Sequence, residues 1–232
     1  MKIFYFTEDV ASPEVNEKII QSSLNFLGFR DAVVFQQEGI KILGADINNL
    51  KNFQTLISNI LAKAILEEEK VIFCFHIDTE VSFDIFQRSL NGEIDLLENG
   101  TILKKYLRDY QEIIKTLFKA AMQISENLKS DSFVEMFPCR AIESWCAANQ
   151  PELIIQNRQV RKELAQIINL PFLDYLQKLD EIEKFKFGKT GRQGKGLGTM
   201  LKLVNNNFPT KEFYGIEKSF HRFVENLRLA IN

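Results

Sequence analysis

Val71-Ile72-Phe73-Cys74-Phe75-His76-Ile77, running directly into Asp78, is the stretch that decides the fold. Seven residues of almost unbroken apolar and β-branched character are what a strand needs when both of its faces are covered by helices, the situation of a parallel sheet. Upstream, Lys2–Thr7 (KIFYFT) has the same aromatic and aliphatic character and ends at Glu8-Asp9. Ser12-Pro13-Glu14 then has the chemistry of a helix start, and Ile19, Ile20, Leu24 and Leu27 recur at helical spacing until Gly28 closes the turn. A second strand is expected over Ala32–Phe35, an extended segment around Ile40–Leu43, and a helix over Leu50–Leu66. Downstream, Ile102, Leu103, Tyr106, Leu107, Tyr110, Ile113 and Ile114 open a periodic stripe that predicts a long amphipathic helix over Thr101–Leu128. A strand over Ser132–Phe137 and a helix over Ala141–Ala148 follow, then helices over Pro151–Ile168, Pro171–Glu183, Lys195–Val204 and Ile216–Ile231. Strands alternating with helices predict an α/β fold: a mostly parallel, helix-covered sheet over 1–148, with a helical C-terminal section over 149–232 packed on it.

The 232 residues include 29 Lys+Arg against 31 Asp+Glu, for a net charge of -2, and are 45% hydrophobic with 20 Phe, enough apolar material for a sizeable core. Cys74, Cys139 and Cys146 form no CxxC and have no neighbouring His pair, which argues against a disulfide framework or a zinc site. No stretch has the length and apolarity of a membrane span or a secretion signal, so a cytoplasmic protein is expected.

In an open α/β sheet, ligands bind beyond the carboxyl ends of the strands. Glu8 and Asp9 follow the first strand; His76, Asp78 and Glu80 alternate at the end of the central one. Carboxylates at adjacent strand ends are the oxygen ligands that Mg2+ or Mn2+ takes, although acidic residues in these places also serve as loop residues and helix caps. His76 as a ligand would shift preference from Mg2+ towards Mn2+; as a structural residue it would be half-buried and satisfied by a backbone carbonyl. Glu143, between Ile142 and Trp145, is a third candidate, with Arg140 one turn earlier as an ion-pair partner or a phosphate-binding group.

FTEDVASPEVNEKII, FCFHIDTE, FPCRAIESWCAAN and KSFHRFVENL occur in the order and approximate spacing of small bacterial proteins with a Toprim-like core. The chain resembles the RloB-like and OLD-type nucleases of phage-defence systems. That resemblance implies a Toprim-like, Rossmann-like core in which Glu8 matches the Glu after the first strand and Asp78 the second Asp of a DxD pair. These would be catalytic carboxylates and ligands of Mg2+ or Mn2+, with Glu143 as the acidic residue of a later motif. His76 stands where the first Asp of the pair belongs, a departure that bears on metal affinity and catalysis.

Gly188-Lys189-Thr190 is not a P-loop, because Glu183 occupies the position of the required upstream glycine. Yet Lys184 to Lys211 carries seven basic residues and no acidic one, including Lys189, Arg192, Lys195 and Lys202, with a Gly-rich loop over 184–198. Such a segment suits a phosphate backbone, or is simply a solvated loop. Lys63 to Gly100, around Asp78, carries nine acidic residues and three basic ones. The near-zero net charge therefore hides a division that a cation site beside an anion-binding segment would need. The expected function is a metal-dependent nuclease-like protein acting on DNA or RNA. The alternatives are a non-catalytic binding module with a degenerate metal site, serving a protein partner, nucleic acid or nucleotide, and a hydrolase or transferase of a small phosphorylated ligand.

Overall fold

The computed structural model describes residues 1–7, 13–36, 55, 58–63, 66, 70–76, 88, 91, 93, 132–138, 142–149, 195–205 and 207–232. Four strands, β1 (Lys2–Thr7), β2 (Val33–Gln36), β3 (Val71–His76) and β4 (Phe133–Met136), form one sheet in the order β2-β1-β3-β4. Every pairing is parallel. Val71, Ile72, Phe73 and Cys74 are all buried, as the apolar run requires of a strand inside the sheet and covered on both faces. On β4 the burial alternates, with Val134 and Met136 inward and Glu135 partly exposed.

The helices are α1 (Pro13–Phe26), α2 (Ile142–Asn149), α3 (Lys195–Asn205), α4 (Lys211–Ile216) and α5 (Lys218–Ile231). Residues 58–63 are also helical. Val15, Ile19, Ile20 and Leu24 are the buried face of α1. Gly28, at φ +89°, closes this helix: Phe29 N–H donates to Leu24 O at 2.8 Å and Gly28 N–H to Asn25 O at 3.1 Å. Only the left-handed conformation of glycine brings the chain round for that cap without cost.

The C-terminal helices join the same core. α3 packs on α1 and α2, and α5 packs on β4, where Arg222 Nη2 meets Glu135 Oε2 at 2.9 Å. Trp145 of α2 is fully buried, edge-on to Phe220 and stacked against Phe223. Its indole N–H donates to Ser219 Oγ at 2.8 Å, and Ser219 Oγ lies 2.8 Å from both carboxylate oxygens of Glu217. Glu217 also accepts from Phe220 N–H, capping α5.

Several boundaries differ from expectation. The helix expected over Ile216–Ile231 is α5, which begins at Lys218; Glu217, extended at φ -77° and ψ 103°, separates it from α4, a short helix that the periodicity does not predict. Thr210 caps α4 by accepting from Phe213 N–H at 3.2 Å. The strands expected over Ala32–Phe35 and Ser132–Phe137 narrow or shift to Val33–Gln36 and Phe133–Met136. The expected elements at Ile40–Leu43, Thr101–Leu128, Pro151–Ile168 and Pro171–Glu183 lie outside the described residues. Among the described residues, no helix is long and apolar enough to cross a membrane.

Candidate site at the carboxyl ends of β1 and β3

The strand order reverses between β1 and β3. From β1 the chain steps to its neighbour β2 on one side, then crosses to β3 on the other. Divergence of the two connections opens a crevice at the carboxyl ends of such a pair, which is where open α/β sheets bind ligands. Here Thr7 and His76 are register partners, and His76 in turn is the partner of Met136. Three strands thus finish abreast, about 5 Å apart from one to the next.

The acidic candidates follow these ends in the sequence. Glu8 is the next residue after Thr7, and Asp78 is the second after His76. Glu143 belongs to the first turn of α2, the helix that follows β4. Glu8, Asp78, Glu80 and Arg140 themselves lie outside the described residues, as do Lys189 and Arg192. Lys195 is the first residue of α3, and Lys202 is exposed in its last turn.

His76 is 1% exposed, more deeply set than the half-buried position expected of it. Its imidazole Nδ1 is 3.4 Å from the side-chain Nδ2 of Asn16, which is itself fully buried on α1. Nδ1 faces the amide, and a coordinating role for this ring would fall to Nε2. Asn16 is the residue that the sequence reading missed. Its signal was positional: Asn16 sits within the stripe formed by Ile19, Ile20, Ser23 and Leu24, at helical spacing among core residues, where a polar side chain needs a specific partner.

Among the described residues, no group of three or more His, Cys, Asp or Glu side chains converges as a metal site. The described donor at this edge is His76, and an imidazole alone is a poor partner for Mg2+. A cation here would therefore depend on Glu8 and Asp78. Cys74, two residues before His76, is buried with its thiol pushed up by desolvation, so it is held as the neutral thiol. Cys146 is likewise a buried thiol beside Trp145. His221 is engaged elsewhere: its Nδ1 lies 3.2 Å from Tyr214 O and its ring is 4.7 Å from the Tyr214 ring.

Comparison with family models, with curated proteins and with solved structures returns no match.

Proposed function

We propose that this protein is a Toprim-like, metal-dependent nuclease whose site lies beyond the carboxyl ends of β1 and β3. The observation that carries the reading is the register of Thr7 with His76 at the reversal of strand order, since it starts the segments bearing Glu8 and Asp78 from neighbouring strand ends. Glu8 and Asp78 would hold Mg2+ or Mn2+, with Glu143, Glu80 and His76 as further candidate ligands. A cation bound there supplies an activated water and neutralises charge on phosphate oxygens. Asn16 orients the His76 ring, and Lys195 and Lys202, with Lys189, Arg192 and Arg140, give the substrate's phosphates their counter-charge. Incubating DNA and RNA with the protein and Mn2+ tests this reading. Cleavage by the wild type that is lost in Glu8→Gln and Asp78→Asn supports it; cleavage that is equal in wild type and variants, or absent throughout, contradicts it.

One observation favours a second reading, that of a binding module without catalysis. His76, standing where a metal-binding Asp is expected, is buried and faces Asn16. Nucleic-acid binding without cleavage, unchanged by Mn2+, is the outcome that reading requires.

A further inference from the structure

A cleft of about 560 Å3 opens away from the strand ends, between α1 and the turn joining α3 to α4. Lys18, Ser22, Asn25 and Phe26 form one wall, a single stripe of α1 at helical spacing. The opposite wall is Val204 and Asn207–Lys211. That wall is held in place. Asn207 takes the left-handed conformation at φ 52°, one that asparagine tolerates, and turns the chain out of α3. Thr210 N–H donates to Asn149 Oδ1 at 2.8 Å and its hydroxyl to Asn149 O at 3.4 Å, tying the turn to the end of α2.

The lining has two characters. Phe26, Val204, Phe208 and Pro209 are apolar, and Phe26 remains 38% exposed beside the cleft. The polar lining residues are Lys18, Lys211, Asn25, Asn207, Ser22 and Thr210, with no Asp or Glu among them. Among the described residues neither lysine enters an ion pair, whereas Arg88, Arg222 and Arg228 are each paired with a glutamate. Glu17, next to Lys18 in the chain, receives the Tyr5 hydroxyl instead. Two lysines lining one cleft that has no acidic residue in its walls favour an anion there, and the volume lies in the range of small-molecule sites.

We propose that this cleft binds a nucleotide, the phosphate between Lys18 and Lys211 and the base on the exposed face of Phe26. Asn25 and Asn207 supply amide groups for the polar edge of the ligand, and aromatic stacking supplies the affinity that phosphate alone lacks. Lys211 ends the basic stretch that begins at Lys184, so the fold pairs one end of that stretch with a lysine from near the other end of the chain. The site uses none of Glu8, His76 or Asp78 and stands whether or not the nuclease reading does.

The test is titration of the full chain, in EDTA, with AMP, adenosine and inorganic phosphate. AMP is expected to bind more tightly than either fragment. The double variant Lys18→Ala with Lys211→Ala is expected to weaken AMP about tenfold or more, since each lost charged contact is of that order. Phe26→Ala should weaken AMP and adenosine and leave phosphate unchanged. Both lysines are exposed, so the double variant should melt as the wild type does. Glu8→Gln should bind AMP normally, which separates this site from the one at the strand ends. AMP binding no tighter than inorganic phosphate, or equal in wild type and the double lysine variant, would overturn the proposal, as would no AMP binding at all.

Discussion

Asn16 and His76 meet inside the protein, the amide Nδ2 of one 3.4 Å from the imidazole Nδ1 of the other, both fully or almost fully buried. The contact joins the first turn of α1 to the last residue of β3, beside the crevice where the strand order reverses. Asn16→Ala removes a buried polar partner from the ring and is expected to cost about 1 to 3 kcal/mol, read from the denaturant midpoint at unchanged slope. In the wild type, the ring nitrogens should report one dominant tautomer by NMR, and Asn16→Ala should mix the two. A ring signal indifferent to the substitution would show that Asn16 does not position His76.

Ser219 joins Trp145 to Glu217 through its hydroxyl, accepting from the indole and donating to the carboxylate. Ser219→Ala takes a partner from both at once within the core, and about 1 to 3 kcal/mol should be lost. Trp145 is the single tryptophan, so its emission follows this junction directly during unfolding. A cycle of Ser219→Ala with Trp145→Phe, followed by far-UV circular dichroism because two of its four proteins lack the fluorophore, should give a coupling of about 0.5 to 3 kcal/mol, because the two side chains share one hydrogen bond.

Two glycines predict opposite signs. An added methyl at Gly28 meets nothing within 4 Å, but the residue sits at φ +89°, so Gly28→Ala should destabilise by about 1 to 2 kcal/mol through backbone strain alone. Gly198 lies inside α3 and is exposed, also with nothing within 4 Å. Gly198→Ala should stabilise by about 0.5 to 1 kcal/mol, since glycine is the poorer helix former. Thermal unfolding of the two variants checks both signs.

On α5, Glu225 accepts from the Tyr214 hydroxyl and from Arg228 Nε at 3.0 Å. The Tyr214 hydrogen bond, followed by Arg228, holds the Glu225 carboxyl below the usual range despite opposing desolvation. Desolvation and the Glu225 bond push the Tyr214 phenol up to about 12. A lowered carboxyl contributes stability above its unfolded pKa and loses it as pH falls through the folded one. A raised phenol contributes below its unfolded pKa, about 10, and loses that contribution as pH rises towards 12. Glu225→Gln should therefore flatten the stability profile below about pH 4.5, and Tyr214→Phe should remove its share of the alkaline loss; partial exposure keeps both effects small.

β3 was legible because a strand covered on both faces has no polar positions to blur its pattern, and VIFCFHI has none before His76; β1 was legible from its aromatic and aliphatic run, with Ile3 and Tyr5 buried. α4 was not. Six residues with Phe213 as the fully buried one carry no periodicity, and Gly215, a residue that disfavours helix, lies inside α4, while the break itself falls at Glu217, an uncommon cap. Strand order was equally hidden, because the pairing of Thr7 with His76 joins residues far apart in the chain. The acidic residues were found by their place after strands, whereas Asn16 was passed over inside a helix read for its apolar face. The pairing of Lys18 with Lys211 across a cleft could be seen only once α1 and the α3–α4 turn were brought together.

The proposed cation site of Glu8 and Asp78 beyond the Thr7–His76 register is probed by thermal unfolding with and without Mn2+. At about a hundredfold excess over Kd, the wild type should melt about 5 to 10 °C higher, because a ligand bound to the folded state alone stabilises it. Glu8→Gln and Asp78→Asn should melt at the same temperature with and without the ion. An equal rise in all three proteins, or none in the wild type, would rule out a cation held by these two carboxylates.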